Sequence, residues 1–344
     1  MDKARFLFAI LLMALAARVL ARPQEATNAL NPPANDLFER WDDLNQRLLY
    51  HRTVLKPSLP GIYVADAKGR QILAIDVLKD FPGALHGSVD LGNIAGGPDG
   101  SMVLFCLLDY GARPLRELIL TYSSSGMLRS TIDADPYEAS ALTVDDQGNI
   151  YIFADNYLFD VDDPRAVYPT IVKYDSGGHV IKTMLPSSNF AAGDYPTDSS
   201  EQNGSPLLRV TSKGIVVFAA LSGKWFLLSQ QGEILAQHDL SRLIRKVADQ
   251  YKFRRESVSR SFLGPDGGLV LSLRLDDGPF DQNNPPPPDQ IRIRESVVRV
   301  DPSNLEILEI TEVKEHAQQG DTLVGINGDG TPVYEHRLLN VSKR

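Results

Sequence analysis

Most of this chain alternates apolar and polar residues with a period of two, which is typical of half-buried β-strands. From residue 61 onward, one unit made of two hairpins keeps returning. The first hairpin of each unit has an alternating strand, a tight turn and a second apolar strand. Its turns end at Gly100, Gly148, Gly214, Gly267 and Gly330. The second hairpin is equally regular, and its turns end at Gly126, Gly178, Gly232 and Asn304.

Four strands that recur about every 50 to 65 residues predict an all-β fold, a β-propeller of four-stranded blades. Gly or Asn at each turn supplies the positive φ that a tight hairpin needs. Five blades can be counted from the hairpins. A sixth could lie in 186–206 or in 240–257, although the second segment has the apolar spacing of a helix. The sequence therefore predicts five or six blades.

The two ends of the repeat predict how the ring closes. The hairpin 61–75 is of the second type and no first-type hairpin is evident before it, whereas the hairpin around Gly330 is of the first type and none of the second type follows it. We expect these N-terminal and C-terminal strands to pair in one blade, which would remove exposed sheet edges.

Two segments precede the repeat. Residues 22–60 are predicted to be a linker and a short helix that Asp36 caps and that runs through Tyr50, with Leu37, Trp41, Leu44 and Leu48 on one face. Residues 1–21, which come before this segment, are predicted to be a signal peptide. A single propeller domain then occupies 61–344.

The signal-peptide prediction rests on three features. Lys3 and Arg5 give a basic start, residues 6–17 are an unbroken apolar run, and small residues follow up to Ala21. Twelve apolar residues reach about 18 Å as a helix, whereas a bilayer core is about 30 Å thick. Cleavage near Ala21 is therefore favoured over a stable membrane anchor, and the mature protein is expected to be secreted or periplasmic.

The stretch from Ala141 to Ile181 resembles the paired hairpins of NHL-type, six-bladed propeller repeats. The matching segments are 144–152, Val-Asp-Asp-Gln-Gly-Asn-Ile-Tyr-Ile, and 171–181, Ile-Val-Lys-Tyr-Asp-Ser-Gly-Gly-His-Val-Ile. The resemblance extends at the level of the repeat over roughly 61–340. It implies a ring-shaped fold and says almost nothing about activity.

Composition narrows the classes of partner. The chain has 344 residues, of which 43% are hydrophobic and 23% charged, as in an ordinary globular protein. Its formal net charge is −9 and no run of Lys or Arg stands out, which disfavours nucleic acid. The single cysteine, Cys106, excludes an internal disulfide and lies within an apolar strand, as expected of a buried, inert thiol.

The connections of the predicted propeller differ between its two faces. Turns within hairpins share one face, here called the plain face, and all of them are short. The remaining connections share the other face, here called the insertion-rich face, and they include 109–115, 156–169, 186–206, 240–257, 276–291 and 311–320. Long loops on one face of a rigid scaffold are where binding usually occurs. We expect a monomer that binds a protein, peptide or glycan there.

Three sets of residues on the insertion-rich face are candidates for binding. Aromatic, arginine and amide side chains suited to protein or glycan surfaces are Tyr110, Arg113, Arg116, Asn156, Tyr157 and Tyr195. Carboxylates at the starts of innermost strands, which could hold a cation such as Ca²⁺ at the channel mouth, are Asp90, Glu138 and Asp321. An acidic loop offers a second possible Ca²⁺ site at Asp155, Asp160 and Asp162.

Two functions follow as hypotheses. The first is an exported binding scaffold that performs no catalysis. The alternative is a metal-dependent hydrolase or lyase, whose cation on Asp90, Glu138 and Asp321 would polarise a carbonyl or activate water. That set resembles the metal-binding acids of sugar-lactonase-like propellers. The resemblance is incomplete, because Gly204 and Ser257 occupy the equivalent positions of the third and fourth units.

Overall fold

The structure is a computed structural model of the chain, and it describes residues 37–52, 55, 59–80, 88–109, 116–156, 167–190, 206–278, 292–312 and 323–334. The predicted signal peptide therefore lies outside the described residues. Within them the chain folds into a β-propeller of five four-stranded antiparallel blades and one two-stranded sheet.

The first two blades follow one another along the chain. Blade one contains β1 (Leu37–Asp42), β2 (Arg47–Arg52), β3 (Ile62–Asp66) and β4 (Gln71–Ile75). Blade two contains β5 (Ser88–Gly96), β6 (Met102–Asp109), β7 (Arg116–Tyr122) and β8 (Leu128–Asp133).

The next two blades repeat this order. Blade three contains β9 (Tyr137–Val144), β10 (Ile150–Asn156), β11 (Pro169–Tyr174) and β12 (Val180–Pro186). Blade four contains β13 (Leu207–Thr211), β14 (Gly214–Ala219), β15 (Lys224–Leu228) and β16 (Ile234–Asp239).

A helix, α1 (Ser241–Gln250), separates blade four from blade five. Blade five contains β17 (Arg255–Leu263), β18 (Leu269–Asp276), β19 (Ile293–Asp301) and β20 (Glu306–Glu312). The two-stranded sheet contains β21 (Leu323–Ile326) and β22 (Pro332–Tyr334). Among the described residues no helix is long and apolar enough to cross a membrane.

The first strand of each sheet lies innermost. The six strands β1, β5, β9, β13, β17 and β21 contact one another in that order, and β21 also contacts β1. A separate apolar cluster fills each of the six interfaces between neighbouring sheets. The ring is therefore closed by buried side chains at every position.

The prediction that the ring closes by pairing of N-terminal with C-terminal strands in one blade was wrong. β3 and β4 complete a blade with β1 and β2, and β21 pairs with β22 alone among the described strands. The ring closes instead because Trp41 and Tyr63 of blade one pack against Val324 and Val333. Gly325 permits this close approach, since a Cβ at that position would collide with the Trp41 side chain.

The six-bladed alternative is also wrong: the described residues form five four-stranded blades, and two described strands occupy the sixth position in the ring. The helix predicted to run through Tyr50 is replaced by β1, a turn and β2. All of β2 is buried, since Leu49 faces blade two while Leu48 and Tyr50 face β21–β22. A strand buried on both faces shows no alternation, and the spacing of Trp41, Leu44 and Leu48 therefore resembled a helix.

The difference between the two faces is confirmed by the topology. On the plain face, tight turns join first to second and third to fourth strands, and carboxylates close several of them. At the β9–β10 turn, for example, Asp145 Oδ1 accepts the backbone N–H groups of Gln147 and Asn149 at 3.0 and 2.8 Å. The insertion-rich face carries α1, as the apolar spacing predicted, and the 3₁₀ turns Val77–Lys79 and Ser187–Asn189.

The turn glycines adopt the predicted backbone conformation. Gly100, Gly148 and Gly267 have φ values of 76°, 82° and 86°. At the β19–β20 turn the prediction was one residue early, because the positive φ belongs to Leu305 and not to Asn304.

Candidate functional site

The insertion-rich face contains the predicted site residues that the structure describes. Arg116 begins β7, and its exposed guanidinium donates from Nη2 to Asp133 Oδ2 at 2.6 Å. Glu138 lies near the start of β9 and is exposed. Most of the other predicted residues lie outside the described ranges, namely Tyr110, Arg113, Tyr157, Asp160, Asp162, Tyr195 and Asp321.

The backbone alone is described for three more. Asp90 lies opposite Leu107 in blade two, and Asn156 lies opposite Tyr137 in blade three. Asp155 lies opposite Glu138, so residues from two different predicted cation sites share one register position. No group of three or more His, Cys, Asp or Glu in the described part of the chain is placed to hold a metal ion. The predicted Ca²⁺ sites therefore stay predictions.

A buried carboxyl group that the sequence did not single out lies beside Glu138. Glu117, the second residue of β7, is only 4% exposed, and its Oε2 atom has no hydrogen-bond partner among the described residues. Its backbone holds the segment that connects blade two to blade three. The N–H of Glu117 donates to Asp135 Oδ1 at 3.2 Å, and its carbonyl accepts from the N–H of Ala134 at 2.8 Å.

The surroundings of Glu117 change its protonation. Burial, and next the negative charges of Glu138 and Asp135, raise the pKa of Glu117 from 4.5 to about 8. The side chain is therefore mainly a neutral carboxylic acid at pH 7 and can donate a hydrogen bond. Perturbed carboxyls of this kind are concentrated at functional sites.

A second group of polar and aromatic side chains surrounds the segment after α1. The guanidinium of Arg294 lies 3.5 Å from the ring centre of Tyr251, and that of Arg292 lies 4.8 Å from the ring centre of Phe253. Arg245 of α1 fixes the segment by donating to the carbonyl oxygen atoms of Phe253 and Arg254. These stacks give the face rigid, amphipathic surface of the kind that protein and glycan ligands use.

Sequence reasoning missed both groups for identifiable reasons. Glu117 directly precedes an apolar strand segment, Leu118–Tyr122, and a charged residue at the end of a strand is usually exposed to solvent. Tyr251 is the last residue of the segment whose spacing resembles a helix, and Phe253 lies two residues beyond it. The sequence signal that could have indicated the second group was the pair of arginines at the start of β19, Arg292 and Arg294.

Cys106 lies where the sequence placed it, in the interior. It is fully buried between blades one and two, and burial raises the pKa of its thiol to about 12. A thiol that stays protonated at physiological pH is a poor nucleophile, so Cys106 belongs to the core.

No protein-family model and no curated protein matches this chain. Solved structures do resemble it. Hydrazine synthase of Kuenenia stuttgartiensis is 10% identical with a TM-score of 0.49, over 93% of this chain and 82% of that one. A protein of unknown function from Bacteroides caccae is 11% identical with a TM-score of 0.43, over 79% of each chain. The β-propeller domain of the Trilobed protease from Pyrococcus furiosus is 10% identical with a TM-score of 0.32, over 66% and 58%.

Proposed function

We propose that this chain is an exported, monomeric β-propeller scaffold, built from NHL-type repeats, that binds a protein, peptide or glycan on its insertion-rich face without catalysis. One observation carries the proposal: the described turns within hairpins lie on the plain face, whereas α1 and the two described 3₁₀ turns lie on the opposite face, where the longer connections between strands also begin and end. A rigid ring that varies on one face only is suited to present a binding surface.

The chemistry of that face supports the proposal. The Arg294–Tyr251 and Arg292–Phe253 stacks offer planar cations on aromatic supports, which bury area while losing little side-chain entropy. Glu117 adds a buried carboxyl group, with a raised pKa, close enough to Glu138 to feel its charge. Together they would favour a ligand that has both apolar rings and hydrogen-bonding groups, such as a sugar or an aromatic peptide side chain.

The test compares one arginine on each face. Full-length protein is applied to a glycan array and to a peptide library, and the ligand recovered is then titrated against Arg294→Glu and Arg129→Glu. Arg129 pairs with Asp99 at the plain-face end of blade two, so it is a matched control for charge. We expect the Arg294 variant to lose binding at least about tenfold, as for an interface anchor. Equal losses in both variants would refute the assignment of the face.

Export is tested separately by cell fractionation of the full chain and of a chain that lacks residues 1–21. The proposal requires the full chain to leave the cytoplasm and the shortened chain to remain there. Retention of both chains in the cytoplasm would refute the signal peptide but would not affect the proposal of a binding face.

The hydrolase or lyase alternative makes a different prediction. A structural or catalytic Ca²⁺ on Glu138 would raise the melting temperature when Ca²⁺ replaces EDTA, because a ligand that binds only the native state stabilises it. Glu138→Gln should abolish that shift. A melting temperature that is the same in Ca²⁺ and EDTA would eliminate this alternative.

A further inference from the structure

Three arginines belong to the innermost strands of the ring, in a protein that is acidic overall. Arg40 lies in the innermost strand of blade one, Arg209 in that of blade four, and Arg260 in that of blade five. In the order of the six innermost strands, β1 and β13 are three places apart and hence on opposite sides of the channel. Side chains from β1 and β13 can therefore meet only across the axis.

One ion pair crosses the channel in this way. Arg209 Nη2 donates to Oδ1 of Asp43, which belongs to the β1–β2 turn on the plain face. The neighbouring carboxylate, Asp42, is held by another arginine, since Arg47 Nε donates to Asp42 Oδ2 at 2.8 Å. Asn45 donates to both Asp42 oxygens as well. Asp42 and Asp43, at this end of the channel, thus each already have a partner.

Arg40 is a cation at this end of the channel that pairs with neither Asp42 nor Asp43. It makes no hydrogen bond or ion pair with any other residue in the described ranges, although it is partly buried. Burial, and next the positive charge of Arg209, lower its pKa from 12.5 to about 10, despite the opposite effects of Asp43 and Asp42. Arg260 adds further repulsion, while His51, whose pKa falls to about 4 on burial, adds no charge at neutral pH. Asp42 and Asp43 are thus paired with Arg47 and Arg209, and neither of them pairs with Arg40.

We propose that the plain-face end of the channel binds a small divalent oxyanion of the phosphate or sulfate type, held mainly by Arg40 and assisted by Arg209. The guanidinium fork matches two oxygen atoms of such an anion. A divalent anion would offset the like-charge repulsion among Arg40, Arg209 and Arg260. The site is independent of the insertion-rich face, because the turn residue Asp43 places it at the other end of the ring.

Calorimetric titration of the full-length protein with inorganic phosphate, at ionic strength held constant with sodium chloride, tests the proposal. A charged hydrogen bond is worth about 1.5–3 kcal/mol, so Arg40→Gln should weaken phosphate binding roughly 10- to 100-fold. Arg70→Gln is the matched control, because Arg70 is an exposed plain-face arginine paired with Asp66. It should leave the affinity unchanged.

A second variant should act in the opposite direction. Asp43 competes with the anion for Arg209, so Asp43→Asn is expected to tighten phosphate binding by about tenfold, or about 1.4 kcal/mol. A residue with only a structural role would not produce tighter binding when replaced. The proposal is overturned if wild type shows no phosphate binding, or if Asp43→Asn binds phosphate no better than wild type. If Arg40→Gln fails to fold, the Asp43 variant decides alone.

Discussion

The two faces of this ring differ in whether their most buried charged groups are paired. On the plain face the buried pair Arg47–Asp42 also reaches the next blade, since Arg47 donates to the carbonyl of Ser101 at 3.0 Å and Asn45 to that of Gly97 at 3.0 Å. On the insertion-rich face the described ion pairs are largely exposed, as in Arg116–Asp133, while the buried carboxyl of Glu117 has an unsatisfied oxygen. The plain face therefore uses a buried ion pair to hold two blades together, whereas the described part of the insertion-rich face keeps a buried carboxyl with one unbonded oxygen.

The largest test of this contrast is removal of the plain-face pair. Asp42→Ala leaves Arg47 buried without its carboxylate, and breaking a buried pair in this way costs about 3–5 kcal/mol. We expect the midpoint of urea unfolding to fall steeply with an unchanged slope. A loss below about 1 kcal/mol, the range of exposed pairs, would show that the two faces do not differ in this respect.

The second test uses pH on the insertion-rich face. Because the pKa of Glu117 is 4.5 ordinarily and about 8 in the fold, the native state binds the extra proton between these values. Stability should therefore be greatest below pH 4.5 for this group and decline as pH rises to about 8, by at most about 1.4 kcal/mol per pH unit.

Glu117→Gln keeps the shape and removes the titration. The difference in unfolding free energy between wild type and this variant, measured from pH 5 to pH 9, should move in favour of the variant as pH rises. A difference that does not depend on pH would show that Glu117 is ionised in the fold.

A third test compares two turn glycines with nearly the same backbone. Gly148 and Gly232 have φ values of 82° and 83°, but a Cβ at Gly148 meets nothing within 4 Å, whereas one at Gly232 collides with the buried Met184 side chain. Gly148→Ala should cost about 1–2 kcal/mol for the backbone alone. Gly232→Ala should cost about 1–3 kcal/mol more through overpacking. Similar melting temperatures for the two variants would mean that Met184 moves aside freely.

The smallest effect is expected for the exposed pair on the insertion-rich face. Arg116→Ala removes its contact to Asp133, and both side chains are about half exposed, so the unfolding free energy should change by about 0–1 kcal/mol. The same variant belongs in the ligand-binding assay. A large loss of stability would place Arg116 with the structural residues and remove it from the candidate binding surface.

The hairpins were predictable from sequence because each carries two local signals, strand alternation and a turn residue. The β9–β10 hairpin shows both, with Val144 and Ile150 flanking Asp145–Asn149. The β1–β2 hairpin shows neither: β2 is buried on both faces, and its turn has a positive φ at Gln46 instead of at a glycine. The first hairpin of blade one was therefore not predictable from the sequence, and neither was the way in which the ring closes.

The candidate sites were less predictable because they depend on distances between blades. That Glu117 lies near Glu138 follows from the packing of blade two on blade three, and no spacing along the chain encodes it. The same is true of Arg209 and Asp43, which are 166 residues apart. Which face would carry the insertions, in contrast, follows from strand direction alone and was predictable.

The packing of β21 against β1 also sets an order of events during synthesis. Ribosomes deliver the chain from its N-terminus at roughly 5–20 residues per second, so blades one to five can stack while the chain is still growing. Until Leu323–Tyr334 emerge, however, Trp41 and Tyr63 on one side of the gap and Val270 and Val297 on the other have no covering partner. The nascent ring thus exposes two apolar walls at once, and a translational pause shortly before residue 323 would prolong the stage that most needs a chaperone.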